Sequence, residues 1–117
     1  MNRNNKTVGA LGEDFAVSFL KRCGYRIIER NFRCRLGEID IIAQEGNCLV
    51  FIEVKTRRSL RFGYPQEAVT LTKQAKLRRV AAYYLQRYKK RVPCRFDVLA
   101  VNIEEGTAKP ELIRNAF

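Results

Sequence analysis

The sequence predicts a single mixed α/β domain with the element order αβββαβ. Three observations carry this. Apolar residues recur at helical spacing in two stretches, three runs rich in β-branched and aromatic residues lie between them, and a fourth such run follows the second helix. A chain of 117 residues is long enough for one packed core, and no repeat, linker or low-complexity segment divides it.

Residues 1–7 are polar and read as a flexible N-terminus, which leaves 8–117 as the domain. From Val8 to Cys23 the positions Leu11, Phe15 and Phe19 recur along one helical stripe, with Ala16 and Leu20 beside them. Gly24 suits the position after the helix, where a positive φ is common. Glu13 stands above Ala16, Val17 and Leu20, which suits a half-buried acid, with a solvated first-turn acid as the plain alternative; Asp14 beside it suits the solvated first turn. Strands are expected over 25–33, 37–44 and 48–56, the last two joined by a turn at "QEGN". "RRSLRFGYPQEAV" is a loop punctuated by Gly63 and Pro65. A second helix is expected from Thr72, its N-cap, to Lys90, burying Leu77, Ala81, Tyr84 and Tyr88. "CRFDVLAVNI" is the fourth strand and "ELIRNAF" a short closing element.

Composition narrows the chemistry. The chain has no histidine, which removes His-based triads, His general bases and His metal ligands. Cys23, Cys34, Cys48 and Cys94 are scattered without the close pairs of a zinc site, and read as reduced, small core residues. No stretch approaches the length of a bilayer span, and the start lacks the apolar core of a secretory signal, so a cytoplasmic protein is expected. With 23 Lys and Arg against 12 acids the net charge is +11, which favours a polyanionic partner, nucleic acid or an anionic membrane surface. The charge is concentrated: residues 55–95 hold 13 basic residues and one acid, Glu67, for a segment charge of +12. One stripe of the second helix carries Lys73, Lys76, Arg79, Tyr83, Arg87 and Lys90. Together with Arg57, Arg58 and Arg61 these cations form a candidate phosphate-binding track. A merely solvated basic face is the plain alternative. No basic amphipathic helix with a strong apolar face argues for a membrane.

The stretch "GEIDIIAQEGNCLVFIEVKTRRS" places Glu38, Asp40, Glu53 and Lys55 on one hairpin. Glu38, Asp40 and Ile42 share a face of the first strand, and Leu49, Phe51, Glu53, Lys55 and Arg57 share a face of the second. A turn at Glu45-Gly46 pairs Asp40 with Phe51 and Glu38 with Glu53, leaving Asp40 diagonal to Glu53. A one-residue slip would put the acids on opposite faces. Clustered acids on a covered face are costly unless a cation joins them, and oxygen-only ligation suits Mg²⁺ or Mn²⁺. A solvated hairpin face with surface ion pairs remains the alternative.

Asp40 and the Glu53-Val54-Lys55 triplet on a hairpin, with an acid on a preceding helix, resemble the PD-(D/E)xK nuclease superfamily. More closely, "LGEDFAVSFL", "GYRIIERNFRCRLGEIDIIA", "LVFIEVKTRRS", "FGYPQEAV" and "RNAF" resemble the YraN family of small bacterial proteins, regarded as related to archaeal Holliday-junction resolvases. The resemblance runs from Gly9 to Phe117 and implies a restriction-endonuclease-like α/β fold with a mixed sheet flanked by helices. It implies Asp40 and Glu53 as ligands of Mg²⁺ or Mn²⁺, the Val54 carbonyl as a third, Lys55 as the catalytic lysine, and Glu13 as the helix acid completing the metal or water shell. Ile39 stands where the superfamily's proline would be. Glu38 has no settled role there and is left to metal binding or an arginine pair. The expected activity is metal-dependent endonucleolytic hydrolysis of DNA phosphodiesters, branched DNA included, with RNA left open as a partner and a homodimer open by analogy with resolvases. The alternatives are a non-catalytic nucleic-acid-binding protein that keeps the fold, and a scaffold whose basic face binds a protein or anionic lipid.

Overall fold

The computed structural model describes residues 8–57 and 69–117, with side chains from Gly12 onward. The flexible N-terminus expected over 1–7, the Leu11 side chain, the loop at Gly63 and Pro65, and Arg58, Arg61 and Glu67 lie outside the described residues. The elements are α1 (Val8–Arg22), β1 (Arg26–Cys34), β2 (Gly37–Glu45), β3 (Cys48–Arg57), α2 (Leu71–Leu85), β4 (Cys94–Glu104) and β5 (Thr107–Ile113). The strands form one sheet in the order β1-β2-β3-β4-β5. Neighbours are antiparallel except β3 and β4, which run parallel and are joined through α2, as a parallel pair requires.

Each helix covers one face. Ala16 and Leu20 of α1 pack on Tyr25, Ile41, Val50, Ile52 and Leu99. Leu77, Val80, Ala81 and Tyr84 of α2 pack on Phe32, Ile42, Phe51 and Val98. Coverage on both sides explains why β3 opens as the continuous apolar run "LVFI" rather than alternating with polar residues. Gly12 lets α1 lie close on β3: a Cβ there would sit 2.0 Å from Thr56 Oγ1. That close approach fixes the height of the next residue, Glu13, over the sheet.

Five expectations are corrected. The β2–β3 turn is centred on Gly46-Asn47, with Glu45 pairing Cys48 and Ile42 pairing Phe51, two residues away from the expected register. Gly46 has φ 60° at the first central position, the conformation a II′ hairpin turn demands. Helix α2 is capped by Thr70, whose hydroxyl accepts from the Lys73 N–H, and not by Thr72. It also stops at Leu85 rather than Lys90. Gln86, Arg87 and Tyr88 each donate three residues back, tightening the chain into turns before it enters β4. The closing element is the edge strand β5, which starts at Thr107 and tolerates Pro110 because an edge strand can leave one N–H out of the ladder. Finally, the cysteines are not core residues: Cys23, Cys34 and Cys48 are half-buried and Cys94 is exposed, all as free thiols.

Candidate active site

The carboxylates meet where β2 leaves β3. The β2–β3 ladder ends at the pair Ile41–Ile52, while β2 stays on β1 as far as Gly37. Strict alternation fails at this point, since Ile39 and Ile42, three residues apart, both join the core beneath α2. Asp40 takes over from the departing strand: its Oδ2 accepts the Val54 N–H at 2.8 Å. In an extended strand the N–H and C=O of one residue point to the same edge, so the Val54 carbonyl also faces the Asp40 side.

Glu53 follows Phe51 on the face beneath α2 and is only 7% exposed. Two ammonium groups meet its Oε2, Lys73 at 3.1 Å and Lys55 at 3.4 Å. Lys55 reaches it from the same strand face, whereas Lys73 descends from the first turn of α2. Burial of Asp40, then the Glu53 charge, then those of Glu13 and Glu38 push its carboxyl up to about 7, against the Val54 N–H, which pulls it down. Four carboxylates of the sequence reading therefore share one electrostatic neighbourhood, with Asp40 at its centre.

The expected residues divide into distinct roles. Glu13 is half-buried over Ala16 and Leu20, as its stripe predicts. Among the described residues no three Cys, Asp or Glu side chains gather into a cation-binding group, and the Glu13 charge is one of those that raise the Asp40 carboxyl. Glu38 pairs with Arg33 across the β1–β2 ladder at 3.5 Å and stands at the periphery. Asp14, expected to be solvated, binds Arg30 at 2.9 Å. Asp40 and Glu53 with the Val54 carbonyl edge are hard oxygen donors held together at an electrostatic cost, and this donor set fits Mg²⁺ or Mn²⁺, which takes its remaining oxygens from water and phosphate.

The basic residues also separate. Lys76 and Arg79 are exposed on α2, the Lys76 stem crossing Gly37. Arg57 is half-buried at the end of β3. Arg87 folds back, its Nε donating to the Tyr84 carbonyl at 3.1 Å and its guanidinium lying 3.7 Å from the Tyr84 ring centre. Lys90 lies past the helix end, beside a hollow of about 540 Å³ that it lines with Tyr88, Lys89 and Arg91. Tyr83 is half in solvent with its ring tilted against Phe32, so its outer edge snorkels.

Several residues escape the sequence reading. Asn102 is 5% exposed and lies beside Arg57 in the β3–β4 ladder, and its Oδ1 lacks a partner among the described residues. Its signal was a lone amide inside the apolar run "VLAVNI". On the same strand, opposite Ile52 of β3, the fully buried Asp97 accepts from Tyr25 Oη at 2.8 Å, Arg95 Nε at 2.9 Å and the Asn115 N–H at 2.9 Å. Arg95 and Arg114 both grip Glu45, and hydrogen bonds from Arg114 first of all draw its carboxyl down to about 2. This network anchors the closing "RNAF" to β2 and β4.

Comparison with known proteins places this geometry in a family. The model of the uncharacterised protein family UPF0102 matches residues 12–101, which span Glu13, Asp40, Glu53, Lys55 and Lys73. A UPF0102 protein of Caldicellulosiruptor saccharolyticus is 57% identical over 117 residues, covering 97% of this chain and 99% of the relative. One from Symbiobacterium thermophilum is 53% identical over 115 residues, covering 97% and 98%. Another, from Syntrophus aciditrophicus, is 48% identical over 120 residues, covering 100% and 92%. With the family model and near full-length relatives in agreement, this chain belongs to the uncharacterised protein family UPF0102.

Proposed function

We propose that the protein is a metal-dependent endonuclease that hydrolyses DNA phosphodiesters, branched DNA included, in the cytoplasm. The observation that carries this reading is the crowding of Asp40 and Glu53, with Lys55 on Glu53, beneath a helix whose outer face presents Lys76 and Arg79. Buried acids kept in company are expensive unless they serve a cation. The resemblance to YraN proteins and to PD-(D/E)xK nucleases supports the same reading.

Asp40 and Glu53 would hold Mg²⁺ or Mn²⁺, with the Val54 carbonyl on the same edge. A divalent cation in such a site supplies a strong nucleophile from water at neutral pH and neutralises phosphate charge. Lys55 orients a phosphate oxygen or the attacking water and offsets charge that develops on the phosphate. Glu13 tunes the Asp40 carboxyl, and Lys76 and Arg79 hold flanking phosphates.

One observation favours the second reading, a nucleic-acid-binding protein without turnover: Glu53 is already engaged by two ammonium groups. The deciding experiment incubates purified protein with nicked, branched, single-stranded and linear DNA in Mg²⁺, in Mn²⁺ and in chelator. The nuclease reading expects metal-dependent products that Glu53→Gln and Lys55→Ala abolish with the fold intact. Binding without product in both metals establishes the second reading.

A further inference from the structure

We infer that Lys73 is a stand-in cation: it neutralises the buried Glu53 carboxylate when no divalent cation is bound and, when one is taken up, is released to bind a phosphate of the nucleic acid. The inference rests on the metal-site reading above. It adds a residue that the sequence pattern assigns only to the outer basic stripe.

Three observations carry it. First, Glu53 is almost wholly buried, yet Lys73 and Lys55 approach the same oxygen, Oε2, at 3.1 and 3.4 Å. One carboxylate needs one positive charge, and two ammonium groups at one oxygen repel each other, so the trio carries a surplus cation. Second, the two lysines are not equally tied. Lys55 stands within the β3–β4 ladder opposite Ala100, and its side chain is 29% exposed. Lys73 is 42% exposed and reaches Glu53 by its long side chain alone. Third, the base of that arm is fixed. The Thr70 hydroxyl accepts the Lys73 N–H at 3.2 Å, the Thr70 carbonyl accepts the Gln74 N–H at 2.8 Å, and the Gln74 side chain donates to the Val69 carbonyl at 3.0 Å. A hydrogen-bonded root and a half-exposed arm let the ammonium leave Glu53 while the helix stays in place.

The consequence is a coupling between the two ligands. Lys73 opposes metal binding, since both cations would draw on the same carboxylate. Once displaced, it lies beside the site as a free ammonium, where a phosphate can engage it.

The test uses Mn²⁺ alone, titrated calorimetrically into wild type, Lys73→Ala, Lys73→Gln and Glu53→Gln. Removing the competing ammonium should tighten Mn²⁺ binding by roughly two- to fivefold in both Lys73 variants, the range of one partly exposed ion pair. Glu53→Gln should weaken it at least as much. In a second measurement, binding of a cleavage-resistant phosphorothioate DNA duplex is followed against salt. With Mn²⁺ present, the log–log slope of wild type should exceed that of Lys73→Gln by about 0.9, one phosphate contact, and without Mn²⁺ the slopes should coincide. If Glu53→Gln binds Mn²⁺ like wild type, the metal-site reading fails and this inference falls with it. If Glu53→Gln loses Mn²⁺ while both Lys73 variants bind it no more tightly than wild type, the stand-in role alone is overturned. Tighter Mn²⁺ binding with equal slopes in Mn²⁺ overturns the hand-over to phosphate.

Discussion

Asp40→Asn should stabilise the metal-free protein above neutral pH while weakening the proposed metal site. The Asp40 carboxyl is raised from 3.8 to about 7, so between those values the folded state holds a proton that the unfolded chain has already released. Unfolding free energy must therefore fall as pH rises through that window and level off above it. The full shift of about three units corresponds to a ceiling near 4 kcal/mol at 1.36 kcal/mol per unit. Asp40 is only partly buried and its surroundings relax, which brings the expected penalty at pH 8 to about 1–2 kcal/mol. Asparagine keeps an oxygen for the Val54 N–H and removes the titration. The assay is urea unfolding in chelator from pH 4.5 to 8. The wild-type midpoint should fall by about 0.5–1 M relative to the variant across this range, for slopes of about 1–3 kcal/mol per molar urea. Glu53→Gln should flatten the wild-type dependence in part, because the Glu53 charge is the largest cause after burial. Parallel pH profiles for wild type and Asp40→Asn would refute the reasoning, since they would mean that Asp40 does not hold its proton in the folded protein.

Glu45 acts in the opposite direction and in a separate window. Its carboxyl is lowered from 4.5 to about 2 by Arg114 and Arg95, so its stabilisation is complete above 4.5 and lost as pH falls towards 2. Glu45→Gln should remove about 1–2 kcal/mol of stability at pH 6 and flatten the acid limb, read by urea unfolding. Gly12→Ala places a Cβ 2.0 Å from Thr56 Oγ1 and should cost about 1–3 kcal/mol in chemical unfolding, with part of it recovered in the double variant carrying Thr56→Ala. Lys76→Ala and Arg79→Ala should each weaken DNA binding and lower its salt slope by about 0.9, while Asp40→Asn leaves metal-free binding intact or stronger. Equal losses in all three, measured by fluorescence anisotropy, would point to a different interface.

Much of the fold is legible because it follows from repetitive patterns. The stripe through Phe15, Ala16, Phe19 and Leu20 and the one through Leu77, Val80, Ala81 and Tyr84 mark the buried helix faces, and both are buried or half-buried as read. What escaped depends on single turns. Thr70 and Thr72 are equally good caps by composition, and only the position of Val69 in the core decides for Thr70. The second half of the β4–β5 hairpin hides behind Glu105-Gly106 and Pro110, a turn without the usual Asn-Gly signal and a residue that argues against a strand.

The candidate site survives a wrong register for a physical reason. The hairpin pairs two residues away from the expected position, and a shift of two preserves the face of every side chain, whereas a shift of one reverses it. Parity brings Glu53 and Lys55 under α2 in either register. Asp40 is different. Its carboxylate reaches the Val54 N–H at the strand edge, a position that in-or-out alternation does not encode, because it arises only where β2 departs and leaves a backbone donor to satisfy. Lys73 was likewise readable as a cation on α2 but not as a partner of Glu53, twenty residues earlier, since that pairing depends on where the Thr70 cap sets the first turn over the sheet. A cap at Thr72 would start the helix two residues later, and with it turn Lys73 away from β3. The capping threonine thus selects which lysine faces the buried carboxylate, and the local backbone bond at Thr70 becomes a determinant of the site's charge.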